Sequence, residues 1–99
     1  MIHVVAIITA QPGQRAALLA AFQENAPTVR AEVGCIEYVA TVDAEGSPAR
    51  YGDDSFAVIE RWNTQADLKA HSTAPHMREY AAKTKALVKD RAIHVLTPV

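Results

Sequence analysis

The chain has 99 residues, 49% of them hydrophobic and 21% charged, and its formal net charge is −1. These values predict one globular domain over residues 1–99 with a small core, and the near-neutral charge gives no electrostatic footprint for nucleic acid or an anionic membrane. The single cysteine excludes an intrachain disulfide and a cysteine-built metal site, and no apolar run approaches the ~18 residues of a membrane span.

The first third of the chain predicts a strand followed by a helix. Residues 2–10 are β-branched and apolar on both alternations, as in a strand covered on both faces. The segment "MIHVVAI" has neither a basic leader nor a cleavage site, so we expect a cytoplasmic protein. The "QPG" turn at 11–13 ends the strand, and apolar residues then recur at helical spacing from Gln14 to about Arg30. Pro27 is expected to kink this helix or to end it early.

The rest of the chain predicts three more strands and a helix in two pieces. The segments are a strand over 35–43, a loop over 44–54, a strand over 55–62, a short helix capped by Asn63 or Thr64 and ending near Ser72, a helix that starts at Pro75, and a strand over 92–98. The last helix has one face marked by Met77, Tyr80, Thr84, Leu87 and Val88. Two roles are open for the loop, which can cover the mouth of a cavity or reach a partner subunit.

This order is β-α-β-β-α-β with the second helix split, which is the ferredoxin-like arrangement of the α+β class. It places helices on one face of a four-stranded antiparallel sheet and leaves the other face uncovered. The strands nevertheless are apolar on both faces, and an exposed apolar face favours association. We therefore expect a homodimer in which two sheets pack face to face as a dimeric α/β barrel.

Two histidines, His71 and His76, raise the question of a metal site. Histidines that ligate together from one helix usually lie four residues apart, whereas these lie five apart with Pro75 between them. No cysteine or carboxylate stands beside them at zinc-like spacing. The chain also has no glycine-rich nucleotide motif. We expect no metal and no tightly bound cofactor, so an enzyme of this sequence would use acid–base chemistry.

Glu60 is the polar residue of the third strand that most needs an explanation, because its neighbours on the same face are apolar or aromatic, including Trp62. A buried carboxylate must be paired or must have a raised pKa. His71 follows one short helix later and can fold back towards Glu60, and such a pair could take a proton from a phenolic hydroxyl. The alternative is that Glu60 pairs with Arg61, another basic residue or water, and that His71 is structural.

Several other residues have two interpretations each. Three of them line either the same cavity or an ordinary core: Tyr38, Met77 and Tyr80. His76 follows Pro75 at a helix start, where it is either an exposed, capping residue or part of the site. His3 and His94 lie on the terminal strands, and we assign neither a role.

Four segments, in their order along the chain, resemble the antibiotic biosynthesis monooxygenase family, and within it the small bacterial quinol monooxygenases. They are "VVAIITAQPGQ", "EVGCIEYVATVD", "SFAVIERWNTQADLKAHSTAPHMREY" and "IHVLTP". The likeness spans nearly the whole chain. It implies a ferredoxin-like fold that dimerises into an α/β barrel, with a cavity between sheet and helices. It also implies oxidation of quinols or polycyclic phenols by dioxygen without metal, flavin or haem. Four residues occupy positions that recur in the family: Glu60, Trp62, His71 and His76.

The expected mechanism makes His71 the base and Glu60 the residue that orients it, with a wall that binds the substrate ring: Trp62, Tyr38, Met77 and Tyr80. Haem-degrading relatives are similar in fold, but their asparagine, tryptophan and haem-ligating histidine correspond here to Ala6, His71 and a position near Ala81, so we do not expect haem degradation.

Two alternatives stay open. One is isomerisation of a small phosphorylated sugar signal, and the other is a non-catalytic dimeric module that binds a small aromatic ligand.

Overall fold

The structure, a computed structural model, describes residues 1–99 and contains four strands and three α-helices. In chain order the elements are β1 (Ile2–Ala10), α1 (Arg15–Arg30), β2 (Cys35–Thr41), β3 (Ser55–Trp62), α2 (Gln65–Ser72), α3 (Pro75–Thr84) and β4 (Val88–Leu96), with a single 3₁₀ turn at Lys85–Leu87 before β4. The predicted β-α-β-β-α-β order with a split second helix is confirmed. No helix is both long enough and apolar enough to cross a membrane.

The four strands form one antiparallel sheet in the order β2-β3-β1-β4, so β1 and β3 are its central strands. The register places Ala6 of β1 between Val58 of β3 and Ile93 of β4. Strand β4 begins at Val88, four residues before its predicted start, because the helical pattern at the end of α3 continues only into the 3₁₀ turn. The predicted α+β class and four-stranded antiparallel sheet are confirmed.

Pro27 does not end α1, which continues to Arg30. Of the two expected effects of Pro27, a kink or an early end, the early end is not found, because the last turn is held by contacts on its inner side. The predicted helix end at about Arg30 is confirmed. Ala26 and Val29 are both fully buried, and Nε of Arg30 donates a hydrogen bond to the carbonyl oxygen of Tyr38 in β2 at 3.0 Å. These interactions outweigh the backbone hydrogen bond that proline cannot donate.

The core lies between one face of the sheet and α1. Alternation along the strands sends Val4 and Ala6 of β1, and Phe56, Val58 and Trp62 of β3, to this helix face. The α1 side of the core consists of Leu18, Phe22, Ala26 and Val29. The helices do not extend over β4, whose residues from Lys89 onwards are all exposed.

The opposite face of the sheet carries no helix, and we call it the open face. Paired residues share a face, so its centre is formed by Val5, Ile7, Val39, Ala57, Ile59 and Ala92. At one end of this apolar centre, Arg61 and Glu37 form an ion pair with 3.6 Å between Nε and Oε1. The open face therefore has an apolar middle and a polar edge.

Candidate functional site

A cavity of about 230 Å³ lies between the helix face of the sheet and helices α2 and α3. Of its 16 lining residues 11 are hydrophobic, and its floor is built by core residues of the strands together with Phe22 of α1. Its volume is close to the lower end of the range of small-molecule pockets, about 300–1,000 Å³. The size and lining suit a small aromatic ligand.

Glu60 is the acidic residue that lines this cavity. It is 7% exposed, because alternation along β3 puts it on the helix face with Val58 and Trp62. Nε1 of Trp62 donates a hydrogen bond to Oε1 of Glu60 at 2.9 Å. Burial raises the pKa of Glu60, and the Trp62 hydrogen bond and the charge of a protonated His71 oppose this rise in part. Glu60 therefore keeps its proton to a higher pH than an exposed glutamate does.

His71 is 6% exposed, lies in the last turn of α2 and lines the same cavity. Its Nδ1 is 2.8 Å from Oε2 of Glu32. An ionised carboxylate only accepts hydrogen bonds, so this partner assigns the hydrogen to Nδ1 and leaves the electron pair of the neutral ring on Nε2. No protein group forms a hydrogen bond with Nε2 of His71. Every side-chain nitrogen or oxygen that is fully buried has a partner, so Nε2 is not fully buried. Because His71 lines the cavity, Nε2 is open to it.

A second histidine binds the same oxygen of Glu32. Nε2 of His76 is 3.0 Å from Oε2, and the side chains of His71, Glu32 and His76 are 7%, 14% and 25% exposed. Because Pro75 starts a new helix, the two imidazoles approach the carboxylate from different helices. The three side chains form a chain of hydrogen bonds from the cavity towards the surface.

Glu32 is held in the turn between α1 and β2. The carbonyl oxygen of Glu32 accepts from the backbone N–H of Cys35 at 3.2 Å, and that of Gly34 accepts from the N–H of Asn63 at 2.8 Å. Gly34 has a φ of 79°, and a Cβ at this position would collide with the side chain of Asp67 in α2. Glycine therefore allows α2 to lie against this turn, which brings His71 to Glu32.

The predicted pairing of Glu60 with His71 is not formed as a hydrogen bond, and Glu32 holds His71 instead. Glu32 was not predicted as a site residue, because it precedes His71 by 39 residues and lies in a turn without periodicity. The pairing of Cys35 with Trp62 brings the end of β3 beside this turn. A carboxylate three residues before Cys35 would have indicated a site residue only if this strand register had been known.

Of the residues predicted to line a cavity, Tyr38, Met77 and Tyr80 do line it. Trp62 does not, because its fully buried ring lies behind His71 with 4.7 Å between the ring centroids. His76 does not either, since it lines a separate groove between α1 and α3. Trp62 and His76 thus contact the site residues rather than the cavity.

Two tyrosine hydroxyls bring polar groups to the cavity wall. Burial raises the pKa of Tyr38, and the negative charge of Glu60 raises it further. Burial also raises the pKa of Tyr80, with a smaller opposing effect from Arg91. Both phenols are therefore neutral hydrogen-bonding groups in the physiological pH range.

The remaining candidates lie away from the cavity. None of the lining residues belongs to the 44–54 loop, which folds onto itself as the carboxylate of Asp43 accepts from the N–H groups of Tyr51 and Gly52 at 3.0 and 2.9 Å. The first of the two roles considered for this loop, covering the cavity mouth, is thus not seen in the single chain. His3 and His94 lie on the open face, paired with Leu96 and Val5.

Several further residues that line the cavity were not predicted from the sequence, among them Phe22, Arg91 and Ile93. Phe22 is marked as apolar by its helical spacing, but no pattern distinguishes a cavity wall from a core. Arg91 lies in the part of β4 that precedes its predicted start. No group of three or more histidine, cysteine, aspartate or glutamate side chains has an arrangement that could hold a metal ion.

Comparisons with known proteins agree with this architecture. The family model described as "Antibiotic biosynthesis monooxygenase" matches residues 1–83. The Escherichia coli (strain K12) protein described as "Probable quinol monooxygenase YgiN" is 37% identical over 102 residues, which cover 99% of this chain and 98% of that protein.

Solved structures with the same fold include PA3566 from Pseudomonas aeruginosa, with a TM-score of 0.84 and 28% identity over 99% of this chain and 93% of that one. Rv0793 from Mycobacterium tuberculosis has a TM-score of 0.82 and 28% identity, and the match covers 99% of this chain and 94% of that chain. With a family match over most of its length and a relative of 37% identity along the full chain, the protein belongs to the antibiotic biosynthesis monooxygenase family.

Proposed function

We propose that this protein is a cofactor-independent monooxygenase that oxidises a quinol or a polycyclic phenol with dioxygen. The observation that carries the proposal is the state of His71, whose Nδ1 is fixed by Glu32 while its Nε2 is open to a mostly apolar cavity. A neutral imidazole in this position can accept a proton from a bound hydroxyl group near neutral pH. The family membership and the relative described as a quinol monooxygenase support the same chemistry.

The first step transfers the hydroxyl proton of the substrate to Nε2 of His71. The substrate anion stays in the cavity, and the imidazolium is stabilised by the negative charge of Glu32 at 2.8 Å. Glu32 thus takes the orienting role that sequence analysis gave to Glu60. Trp62 supports the ring of His71 from behind, at a centroid distance of 4.7 Å.

The second step uses the electron-rich anion as the reductant. The anion passes one electron to O₂, and the resulting radical and superoxide combine to form a carbon–oxygen bond. Protonation gives a hydroperoxide, and loss of water from it breaks the O–O bond and leaves a carbonyl group. For a quinol the balance is quinol plus O₂ to hydroxyquinone plus H₂O, so the substrate supplies all four electrons that O₂ receives.

The other polar groups of the cavity then bind and orient the substrate. Glu60, with its raised pKa and its Oε1 fixed by Trp62, is a hydrogen-bonding partner for a second hydroxyl group. Tyr38 and Tyr80 present neutral phenols, and Met77 adds a polarisable side chain that suits contact with an aromatic ring. Holding the anion beside O₂ in a site with few polar groups is the main contribution of the protein.

The isomerase alternative has less support from this cavity. A phosphorylated sugar needs several cationic or N–H groups at its phosphate and hydroxyl groups. The cavity is lined by one arginine, Arg91, and mainly by hydrophobic residues. An aromatic ligand suits this lining better.

We also propose that two copies of the chain associate through the open face. Its apolar centre with a polar edge has the composition of a protein–protein interface, and nothing in the single chain covers it. Burying the centre would add core to a chain that has a small one. This association would form the expected dimeric α/β barrel.

The test of the proposed activity is oxygen uptake by metal-stripped protein with a panel of reduced naphthoquinols and anthrone-like phenols, compared with a protein-free blank. We expect uptake above autoxidation that saturates with substrate and is lost in His71→Ala. Lys69→Ala, an exposed change on the same helix, is the matched control and should keep full activity. Unchanged uptake in His71→Ala would overturn the mechanism, and no uptake by the native protein across the panel would overturn the activity.

A further inference from the structure

The side chain of Glu32 is shared by two histidines that face different spaces. His71 lines the cavity, whereas His76 lines a groove of about 160 Å³ between α1 and α3. Both imidazole nitrogens lie within 3.0 Å of the same oxygen, Oε2 of Glu32. The mechanism proposed above uses His71 and Glu32 but gives no task to His76.

The charge of this cluster limits how many protons it holds. Glu32 supplies one negative charge, which compensates one imidazolium. A second imidazolium on the same oxygen would leave an excess positive charge among side chains that are 7–25% exposed. Like charges at one site disfavour each other, so the single negative charge of Glu32 is matched by one imidazolium rather than by two.

We propose that His76 is a positioning residue that works as the proton outlet of His71. The proposal rests on the proposed function, in which His71 takes a proton from the substrate. Before that step Glu32 is a carboxylate, His76 an imidazolium and His71 neutral. When the substrate proton arrives at Nε2 of His71, His76 releases the proton on its Nδ1 to the solvent of the groove. The net charge of the cluster stays at zero, and no proton has to cross the carboxylate.

The surroundings of both rings are compatible with this exchange. In the groove, Glu24 of α1 is engaged by Lys83 of α3 at 3.0 Å, and Glu79 of α3 adds a negative charge near the point of release. On the cavity side, the titratable neighbours of His71 are Glu60 of β3 and Tyr38 of β2, and Cys35 lies near Glu32. None of these groups forms a hydrogen bond to either imidazole.

The first experiment needs no substrate and follows the histidine ring signals by NMR as a function of pH. In the native protein we expect His71 to titrate in two coupled steps. In His76→Gln, whose amide nitrogen reaches the position of Nε2 but does not titrate, we expect a single step with its midpoint at higher pH. Lys83→Gln removes a charge from the same groove without touching Glu32 and should shift this midpoint far less. An unchanged His71 curve in His76→Gln would overturn the proposal.

A second variant separates the shared charge from the fold. Glu32→Gln keeps a carbonyl acceptor for one histidine but removes the negative charge that stabilises an imidazolium, so we expect both histidine titrations to move to lower pH. Unchanged histidine titrations in Glu32→Gln would overturn the role of the shared carboxylate.

The last experiment counts protons in the absence of oxygen. Native protein is mixed anaerobically with a reduced naphthoquinol in weak buffer that contains an indicator dye, and the absorption of the quinol anion is recorded with the dye signal. We expect about one proton released per anion formed in the native protein and almost none in His76→Gln. Equal release by both proteins would overturn the outlet. Absence of the anion in the native protein would instead count against the proposed function, and the NMR titrations would still decide the role of His76.

Discussion

The two ends of the cavity are built in opposite ways. At the inner end, Glu60 and His71 are 7% and 6% exposed and each is held by a hydrogen bond from within the chain. At the outer end, Arg91 is exposed without an ion-pair partner and Ile93 is 57% exposed on a strand that the helices do not cover. The chain thus completes the reactive end by itself and leaves the outer end to be completed by a ligand or another chain. In the proposed function, chemistry belongs to the inner end and substrate preference to the outer end.

The largest difference between the two ends should appear in turnover. His71→Ala removes the proposed base, and we expect kcat for quinol oxidation to fall by about 10²–10⁴-fold, the usual contribution of general base catalysis. Arg91→Ala should raise KM with little effect on kcat. A group that binds the substrate and the transition state equally well contributes to substrate binding and not to the chemical step. Oxygen uptake over a range of substrate concentrations measures both. A loss of kcat in Arg91→Ala as large as in His71→Ala would contradict this division.

The open face should respond strongly to a charge placed at its centre. In Ile59→Lys a lysine would stand in the apolar middle of the proposed interface, where an unpaired charge cannot be buried without a large cost. We expect the variant to be a folded monomer by analytical ultracentrifugation at a concentration where the native chain is a dimer. Glu37→Gln, at the polar edge, should remain a dimer. A native chain that is monomeric at high concentration would contradict the proposed association.

The turn that carries Glu32 should be sensitive to a single methyl group. Gly34→Ala forces alanine into a positive φ, which costs roughly 1–2 kcal/mol, and adds the collision with Asp67. Gly13→Ala is a matched control, because Gly13 has nearly the same φ, 77°, and open space around it. We expect a clearly larger loss of unfolding free energy in Gly34→Ala than in Gly13→Ala, measured by urea denaturation. Equal losses would mean that α2 can move away from the turn at no cost.

The smallest effect concerns the pH dependence of stability. Because the pKa of Glu60 is raised in the folded chain, the folded state keeps this proton above the ordinary glutamate value of about 4.3, and stability falls as pH rises from there through the raised pKa. Glu60→Gln should remove the decrease in stability that comes from this group. Glu37 is half-exposed beside Arg61, so Glu37→Gln should leave that decrease unchanged. Urea denaturation at several pH values gives the two slopes. An identical slope in Glu60→Gln and the native chain would contradict the assignment.

The sequence was sufficient for the elements whose signal is local. The alternation in β3 and the cap at Thr64 predict the ends of β3 and the start of α2 to within a residue or two. The side chain of Thr64 accepts a hydrogen bond from the N–H of Asp67 at 3.1 Å. Of the two effects expected of Pro27, the early helix end does not occur, because the burial of Ala26 and Val29 outweighs the local cost of a proline. Glu32 was missed because its importance depends on the pairing of β2 with β3, and a long-range register leaves no trace in the local pattern.

The central position of β1 has a consequence for how the chain folds. The first strand pairs with the last, with His3 opposite Leu96, as well as with β3. Such distant pairing must overcome the entropy of closing most of the chain into a loop, so it slows folding relative to a helical protein of the same length. During synthesis β1 is made before β4, so one edge of β1 stays unpaired until β4 follows. Until then the free N–H and C=O groups of that edge can pair with the wrong strand.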